Sequence, residues 1–362
     1  MSEENFDSAL TVNPGIEPPP IVDNASLQRF LGRRRKTLTP DEYVEGIVQG
    51  NRTVLSQAIT MVESSLPEHE RLAQEIVERC IPRSGKSIRI GITGVPGSGK
   101  STFVEALGGY LTAKGHHLAV LAIDPSSERS KGSILGDKTR MEELSADKNA
   151  FIRPSPSSGS LGGVARKTRE TVFLCEAAGF DIIFIETVGV GQSETAVQSM
   201  TDFFLLIQIA GAGDELQGIK RGIMEMADLI TVNKADGNNV EKAQLAQAQY
   251  QSALRLFPKS VSGWEPKATV SSAITRMGMD TIWQTVLEYE QLTKDNGYFE
   301  KRRRQQAKYW MNETIRNSLI SRFYNNPEIE ALLPEYEQKI TDDKMSSFAA
   351  ASLLLNVYFK NK

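Results

Sequence analysis

In the first third of the chain, apolar residues recur at helical spacing. From about residue 26 to 82, Val54, Ala58 and Met61 share one face, Thr39 and Pro40 form an N-cap and first-turn pair, and Gly50 marks a helix end. After Gly85 the texture changes to short β-branched runs at 87–93, 118–123, 181–185, 203–209 and 229–232, separated by amphipathic stretches. A strand, a helix and a second strand in succession close as a parallel crossover. The expected fold is therefore α/β, a mostly parallel sheet covered on both faces with ligand loops at the carboxyl ends of the strands. From about residue 297 the strands stop. Residues 299–324 and 345–359 read as helices, the second with an apolar face that includes Phe348, Leu353, Leu354 and Val357. Residues 1–22 are polar and carry Pro14 and Pro18-Pro19-Pro20, a composition expected to form a disordered tail. Four regions follow: the tail 1–22, an N-terminal helical region 23–86, an α/β domain 87–296 and a C-terminal helical arm 297–362.

The carboxyl ends of these strands carry the recognisable chemistry. Gly94-Val95-Pro96-Gly97-Ser98-Gly99-Lys100-Ser101 fits G-x-x-x-x-G-K-[ST], with Thr102 following, and it lies between a β-branched strand and an amphipathic helix as a phosphate loop requires. Its glycines let backbone N–H groups wrap a phosphate, and the helix N-terminus adds its dipole. Lys100 is expected to bridge the β- and γ-phosphates and Ser101 to ligate Mg²⁺. Asn233-Lys234-Ala235-Asp236 follows the strand ending at Val232, on the same side as the phosphate loop. A carboxylate there can accept from the N1 and N2 donors of guanine, a pairing that adenine does not supply. Alone, such a tetrad also suits an ordinary strand-to-loop turn. Residues 267–273, Lys-Ala-Thr-Val-Ser-Ser-Ala, read as a last short strand whose Ser272 and Ala273, with Ile274 following, would present backbone N–H groups to the guanine O6. The chain therefore reads as a binder of GTP and GDP.

Two further acids end apolar strands. Asp124, in Ile123-Asp124-Pro125, and Glu186, in Ile185-Glu186-Thr187-Val188-Gly189, are placed to face the Mg²⁺, and the N–H of Gly189 to bind the γ-phosphate. Either acid alone also suits a helix cap or a solvated loop charge. Val190 follows Gly189 where other GTPases carry a water-positioning Gln; Gln192 is a candidate by proximity. Slow turnover is expected, with any activating cation drawn from Arg140, Lys220, Arg221 or a partner.

Composition adds exclusions. The chain has 362 residues, 40% of them hydrophobic and 24% charged, and a net charge of −3, so no general attraction to nucleic acid or anionic membrane is expected. The N-terminus carries no basic or apolar targeting pattern, no run is long enough to span a bilayer, and Cys80 and Cys175 match no metal or redox spacing. Buried thiols in a cytoplasmic protein are the expectation. The runs Arg33–Lys36 and Lys301–Arg304 read as solvated helix faces rather than docking patches.

Several motifs in linear order carry a resemblance. They are Gly94–Thr102, Ala122-Ile-Asp-Pro-Ser-Ser127, Gly136-Asp-Lys-Thr-Arg-Met141, Phe184-Ile-Glu-Thr-Val-Gly-Val-Gly-Gln192, Gly211-Ala-Gly-Asp-Glu-Leu-Gln-Gly-Ile-Lys220 and Asn233-Lys-Ala-Asp236. Together they resemble the MeaB/ArgK GTPases, bacterial relatives of human MMAA that act as chaperones of adenosylcobalamin-dependent methylmalonyl-CoA mutase and related acyl-CoA mutases. The resemblance implies a P-loop NTPase domain of the SIMIBI type and slow GTP hydrolysis that gates cobalamin loading, protection or reactivation at the mutase. It also implies a homodimer formed through the C-terminal helices. Asp137 is then the acid of a first mobile loop that reaches the metal, and 211–220 a further switch loop closed by Lys220; composition alone makes that stretch an ordinary Gly-rich loop. Other readings are a metallochaperone GTPase, for which only His69, His116 and His117 offer imidazole, a protein or small-molecule kinase of transport, or a binding module in which GTP is structural.

Overall fold

The computed structural model describes residues 38–123, 141–155, 161–187, 193–211 and 221–360. The tail 1–22 and the run Arg33–Lys36 lie outside them, as do Asp124, Asp137, Arg140, Gly189, Gln192 and Lys220. Every described element falls within Pro40–Lys362.

Three helices open the described chain: α1 (Pro40–Val48), α2 (Arg52–Glu63) and α3 (Pro67–Cys80). α1 begins at the predicted proline. At its other end Gly50 takes φ +73°, and Gly50 N donates to Ile47 O while Asn51 N donates to Gly46 O, so two carbonyls of the last turn are satisfied by the residues that follow it. Asn51 then caps α2, accepting from Thr53 N and Val54 N.

Seven parallel strands form one sheet. They are β1 (Ile88–Gly94), β2 (Leu118–Ile123), β3 (Ala150–Ser155), β4 (Ile182–Thr187), β5 (Phe203–Ile209), β6 (Leu229–Asn233) and β7 (Lys267–Val270), in the order β3-β2-β4-β1-β5-β6-β7. The five predicted runs are all present, and the last predicted strand, 267–273, is found shorter, ending at Val270. β3 is additional. Its Pro154 and Arg153 hide it from an apolar-run reading, and both suit an edge: a proline is tolerated there, and Arg153 reaches over α2 to Glu63 and Thr60.

The connecting helices are α4 (Lys100–Ala113), α5 (Glu142–Ala146), α6 (Leu161–Ala177), α7 (Ser193–Gln198), α8 (Arg221–Met226), α9 (Val240–Leu254) and α10 (Met279–Asp295). The buried core under one face of the sheet joins Ile90 and Ile92 of β1 and Phe184 of β4 to Phe103 and Leu107 of α4 and Ile282 and Tyr289 of α10. The other face carries α6 and α7. Successive strands run outward from β1 on one side and, after β4, on the other, so the end of β1 sits where the strand order reverses, the usual place for a ligand crevice.

Three helices complete the described chain: α11 (Tyr298–Tyr324), α12 (Pro327–Thr341) and α13 (Ser347–Lys360). α12 was not apparent from the sequence, since Pro334 interrupts its pattern. The predicted apolar face of α13 divides. Leu354 and Val357 pack with Ile329 of α12, whereas Phe348 is 87% exposed.

The basic run at 301–304 corrects the sequence reading. Lys301 and Arg304 are exposed, but Arg302 and Arg303 turn inward. Arg303 donates to both carboxylate oxygens of Asp202, at 2.8 and 2.6 Å, and to Gly85 O and Ser87 O. Asp202 in turn accepts from Arg89 N, and Arg89 forms a two-pronged pair with Glu176 at 2.9 and 3.0 Å, with both side chains almost fully buried. Charged residues so enclosed persist because each is paired. Cys80 and Cys175 are free and buried; burial pushes the Cys80 thiol up to about 11 and Cys175 further, so neither is a reactive thiolate.

Candidate functional site

β1 ends at Gly94, where the backbone approaches β5 so closely that a Cβ would stand 2.2 Å from Ile207 O; no other residue fits. The chain then turns through Val95, Pro96, Gly97 and Ser98 to Gly99, whose φ of +82° starts α4. Gly99 is the N-cap of α4 and supplies no side-chain bond, so the N–H groups of the first turn, at Lys100, Ser101 and Thr102, remain directed out of the helix. That is an anion-binding geometry. Pro96, Gly97 and Thr102 are exposed, and Ser98 is buried with its Oγ unpartnered among the described residues.

Lys100 folds back over this loop. Its Nζ donates to Gly94 O at 2.9 Å and to Val95 O at 3.3 Å. Burial lowers its pKa, and the charges of Glu186 and Glu194 oppose that shift. Beside it, Ser101 Oγ donates to Glu186 Oε1 at 3.5 Å. Glu186 lies near the end of β4, in register with Ile92 of β1 and Ala122 of β2, and is 3% exposed. Sequence reasoning did not single out Glu194. It lies in the first turn of α7 and is buried, and its charge bears on Lys100. No local motif marks it, because the effect depends on how α7 seats.

The tetrad after β6 is joined directly to the phosphate loop. Asn233 is 1% exposed; its Nδ2 donates to Ser98 O at 2.8 Å, while its Oδ1 accepts from Ala273 N at 3.2 Å and Ser271 Oγ at 3.5 Å. One amide thus ties the loop after β1 to the loop after β7. Lys234 is exposed and takes φ +61°, an uncommon conformation for a long side chain, and its Cε passes close to Gly99. Asp236 Oδ2 accepts from Ser272 Oγ at 2.5 Å, and Ser272 Oγ accepts from Thr275 N. Ala273 is buried and Ile274 is 78% exposed at the rim. The carboxylate of Asp236 keeps a second oxygen for a ligand with two adjacent donors.

The described residues therefore gather Gly94–Thr102, Glu186, Asn233, Lys234, Asp236 and Ser272–Ile274 at the carboxyl edge of the sheet. Asp124 follows directly after β2 and Gly189 two residues after β4, but both, with Asp137 and Lys220, fall outside the described residues.

Comparison with known proteins shows the family and the fold. Residues 55–328 match the family described as methylmalonyl Co-A mutase-associated GTPase MeaB. The mouse protein named methylmalonic aciduria type A homolog, mitochondrial, is 46% identical over 328 residues, covering 88% of this chain and 79% of its own. GTPase ArgK of Escherichia coli is 44% identical over 289 residues, covering 80% of this chain and 87% of its own. A solved structure described as LAO/AO transport system kinase superposes with a TM-score of 0.71 at 33% identity, covering 94% of this chain and 99% of that one.

Proposed function

This chain belongs to the MeaB family of guanine-nucleotide-dependent GTPases, and from that premise we propose that it binds GTP with Mg²⁺ and uses hydrolysis to gate adenosylcobalamin loading, protection or reactivation of a methylmalonyl-CoA-type mutase. The observation that carries the nucleotide assignment is the Asn233 amide, which locks the phosphate loop to the loop of Ser272 and Ala273 with Asp236 alongside. A phosphate chain and a base would then be held by one rigid edge.

In this reading the first-turn N–H groups of α4 and the loop amides wrap the phosphates. Lys100, now satisfied by Gly94 O and Val95 O, turns its ammonium to the β- and γ-phosphates. Asp236 accepts the two guanine donors, while Ala273 and Ile274 offer N–H groups to O6. The donors near Lys100 are hard oxygens, a serine hydroxyl beside a buried carboxylate, and so fit Mg²⁺, which takes one or two carboxylates and completes its shell with phosphate and water. Ser101 and Glu186 would hold it, with Asp124 and Asp137 as further acids. When bound, the ion neutralises charge developing between the β- and γ-phosphates. Gly189 and Lys220 are assigned to the γ-phosphate sensor and the partner-sensing loop.

The regions 87–296 and 297–362 are assigned as the GTPase domain and a dimerisation arm. Exposed Met311, Ile315, Leu319, Tyr324, Leu355 and Phe359 support the arm, together with an apolar groove of about 500 Å³ between α11, α12 and α13. A second copy of the chain is its proposed occupant. No described helix is long and apolar enough to cross a membrane; the cytoplasm is the proposed compartment, although the mouse relative is named as mitochondrial.

The deciding experiment measures GTP hydrolysis by the purified protein alone and with an adenosylcobalamin-dependent acyl-CoA mutase, with ATP as control. Stimulation with GTP alone is expected. GTP turnover that no mutase alters would remove the partner, and label transferred from GTP to an acceptor would favour a kinase.

A further inference from the structure

The short helix α7 begins six residues after Thr187 and ends against α11. Within its last turn, Ser199 Oγ takes Ala196 O, and Met200 N and Thr201 Oγ1 take Val197 O. The next carbonyls go to the helical arm. Arg302 Nη2 donates to Gln198 O at 3.3 Å, Trp310 Nε1 to Ser199 O at 3.1 Å and Gln306 Nε2 to Thr201 O at 2.8 Å. Gln306 and Trp310 are each 7% exposed, so these two donors are buried where they meet α7. Arg302 is held in turn by Tyr289 Oη, and α11 is pinned at its start by Arg303 on Asp202.

The opposite side of α7 lies on β1. A Cβ built at Gly91 would fall 2.8 Å from Val197 Cγ1 and 3.1 Å from Thr201 Oγ1, so the helix rests directly on the backbone of the strand that ends in the phosphate loop. Its first turn presents buried Glu194, whose charge bears on Lys100. α7 is thus gripped by the arm at its C-terminal end and rests on the strand that leads into the phosphate loop. Close-packed contacts of this kind pass a shift on rather than absorb it.

We propose that Gln306, Trp310 and Arg302 are positioning residues for GTP hydrolysis, holding the C-terminal turn of α7 so that this helix seats against β1, the strand that ends in the phosphate loop. The proposal rests on the phosphate-loop assignment above and extends it by placing part of the catalytic alignment in the helical arm. It follows that whatever binds the arm can alter turnover without touching the nucleotide.

The test uses the full-length chain with Trp310→Phe, which keeps an aromatic ring but removes the N–H together with the second ring of the indole, and Gln306→Met, which nearly keeps the volume and removes the donor. Steady-state GTP hydrolysis, GDP affinity and Tm are measured for each, with Lys100→Ala as a control for the site. The expected result is a fall in kcat of about 3- to 10-fold, the factor that one lost hydrogen bond spans, with KM for GTP and GDP affinity within about twofold of wild type. A lower Tm with unchanged kcat in both variants would make the bonds merely structural and overturn the proposal. Equal losses in kcat and in affinity for both nucleotides would also overturn it, as general loosening. If Lys100→Ala binds GTP normally, the phosphate-loop assignment falls and takes this proposal with it.

Discussion

Replacing Asn233 by alanine tests whether the two loops of the site form one preorganised unit. The substitution removes the 2.8 Å bond to Ser98 O, the 3.2 Å bond from Ala273 N and the longer contact with Ser271 Oγ, all in a position that is 1% exposed. Two good hydrogen bonds contribute about 1–3 kcal/mol net, and leaving their buried partners unpaired adds about 1 kcal/mol or more. A loss of about 2–4 kcal/mol results, shared between folding stability and nucleotide affinity. If half falls on binding, because the nucleotide must now order both loops, Kd rises by roughly 5- to 30-fold. Titration of fluorescent GDP and GTP analogues measures this, alongside Tm. The two nucleotides should weaken by the same factor, since neither lost bond involves a γ-phosphate. Guanine should still be preferred over hypoxanthine, because Asp236 is untouched. Asn233→Asp should be worse than alanine, since it sets a carboxylate oxygen against Ser98 O. A Kd within about twofold of wild type for both nucleotides, or a loss confined to GTP, would refute the idea that this amide organises the site.

Other outcomes follow from the same geometry. Asp236→Asn should weaken GTP by at least about tenfold and improve xanthosine triphosphate, whose carbonyl suits an amide donor; an unchanged preference in competition binding would remove Asp236 from the base site. Lys220→Ala should leave basal hydrolysis intact and blunt stimulation by a mutase; equal stimulation of variant and wild type would end the switch-loop assignment. Arg303→Met should destabilise the fold by roughly 3–5 kcal/mol at neutral pH, read from denaturant unfolding, because Asp202 loses its partner while 2% exposed. Burial alone would raise the Asp202 pKa, but the hydrogen bonds and charges of Arg303 and Arg89 hold it below 3.8. A depressed carboxyl stabilises the fold above its unfolded pKa and loses that contribution as pH falls through the folded value. The gap between Arg303→Met and wild type should therefore narrow below about pH 4. A gap that is constant from pH 7 to pH 3 would show that Arg303 acts by packing alone.

Local pattern along the chain specifies the parallel α/β order, the phosphate loop and the position of the tetrad at a strand end. These features are local: a continuous apolar run encodes a strand buried on both faces, and glycines at Gly94 and Gly99 with Lys100 and Ser101 between strand and helix admit few other uses. The sequence pattern failed where a residue's environment comes from elsewhere in the chain. Ala150–Ser155 lacks the apolar run of a central strand because, at the sheet edge, Arg153 can leave for α2. Arg303 looks like part of a solvated run until Asp202, about a hundred residues earlier, supplies the carboxylate that lets it be buried, and Arg302 turns in onto Gln198 O and Tyr289 Oη. The same holds within the site. That Asn233 bonds Ser98 and Ala273, that Glu194 bears on Lys100, and that the arm grips α7 are consequences of tertiary packing, which alone brings together donors and acceptors separated by such spans of chain.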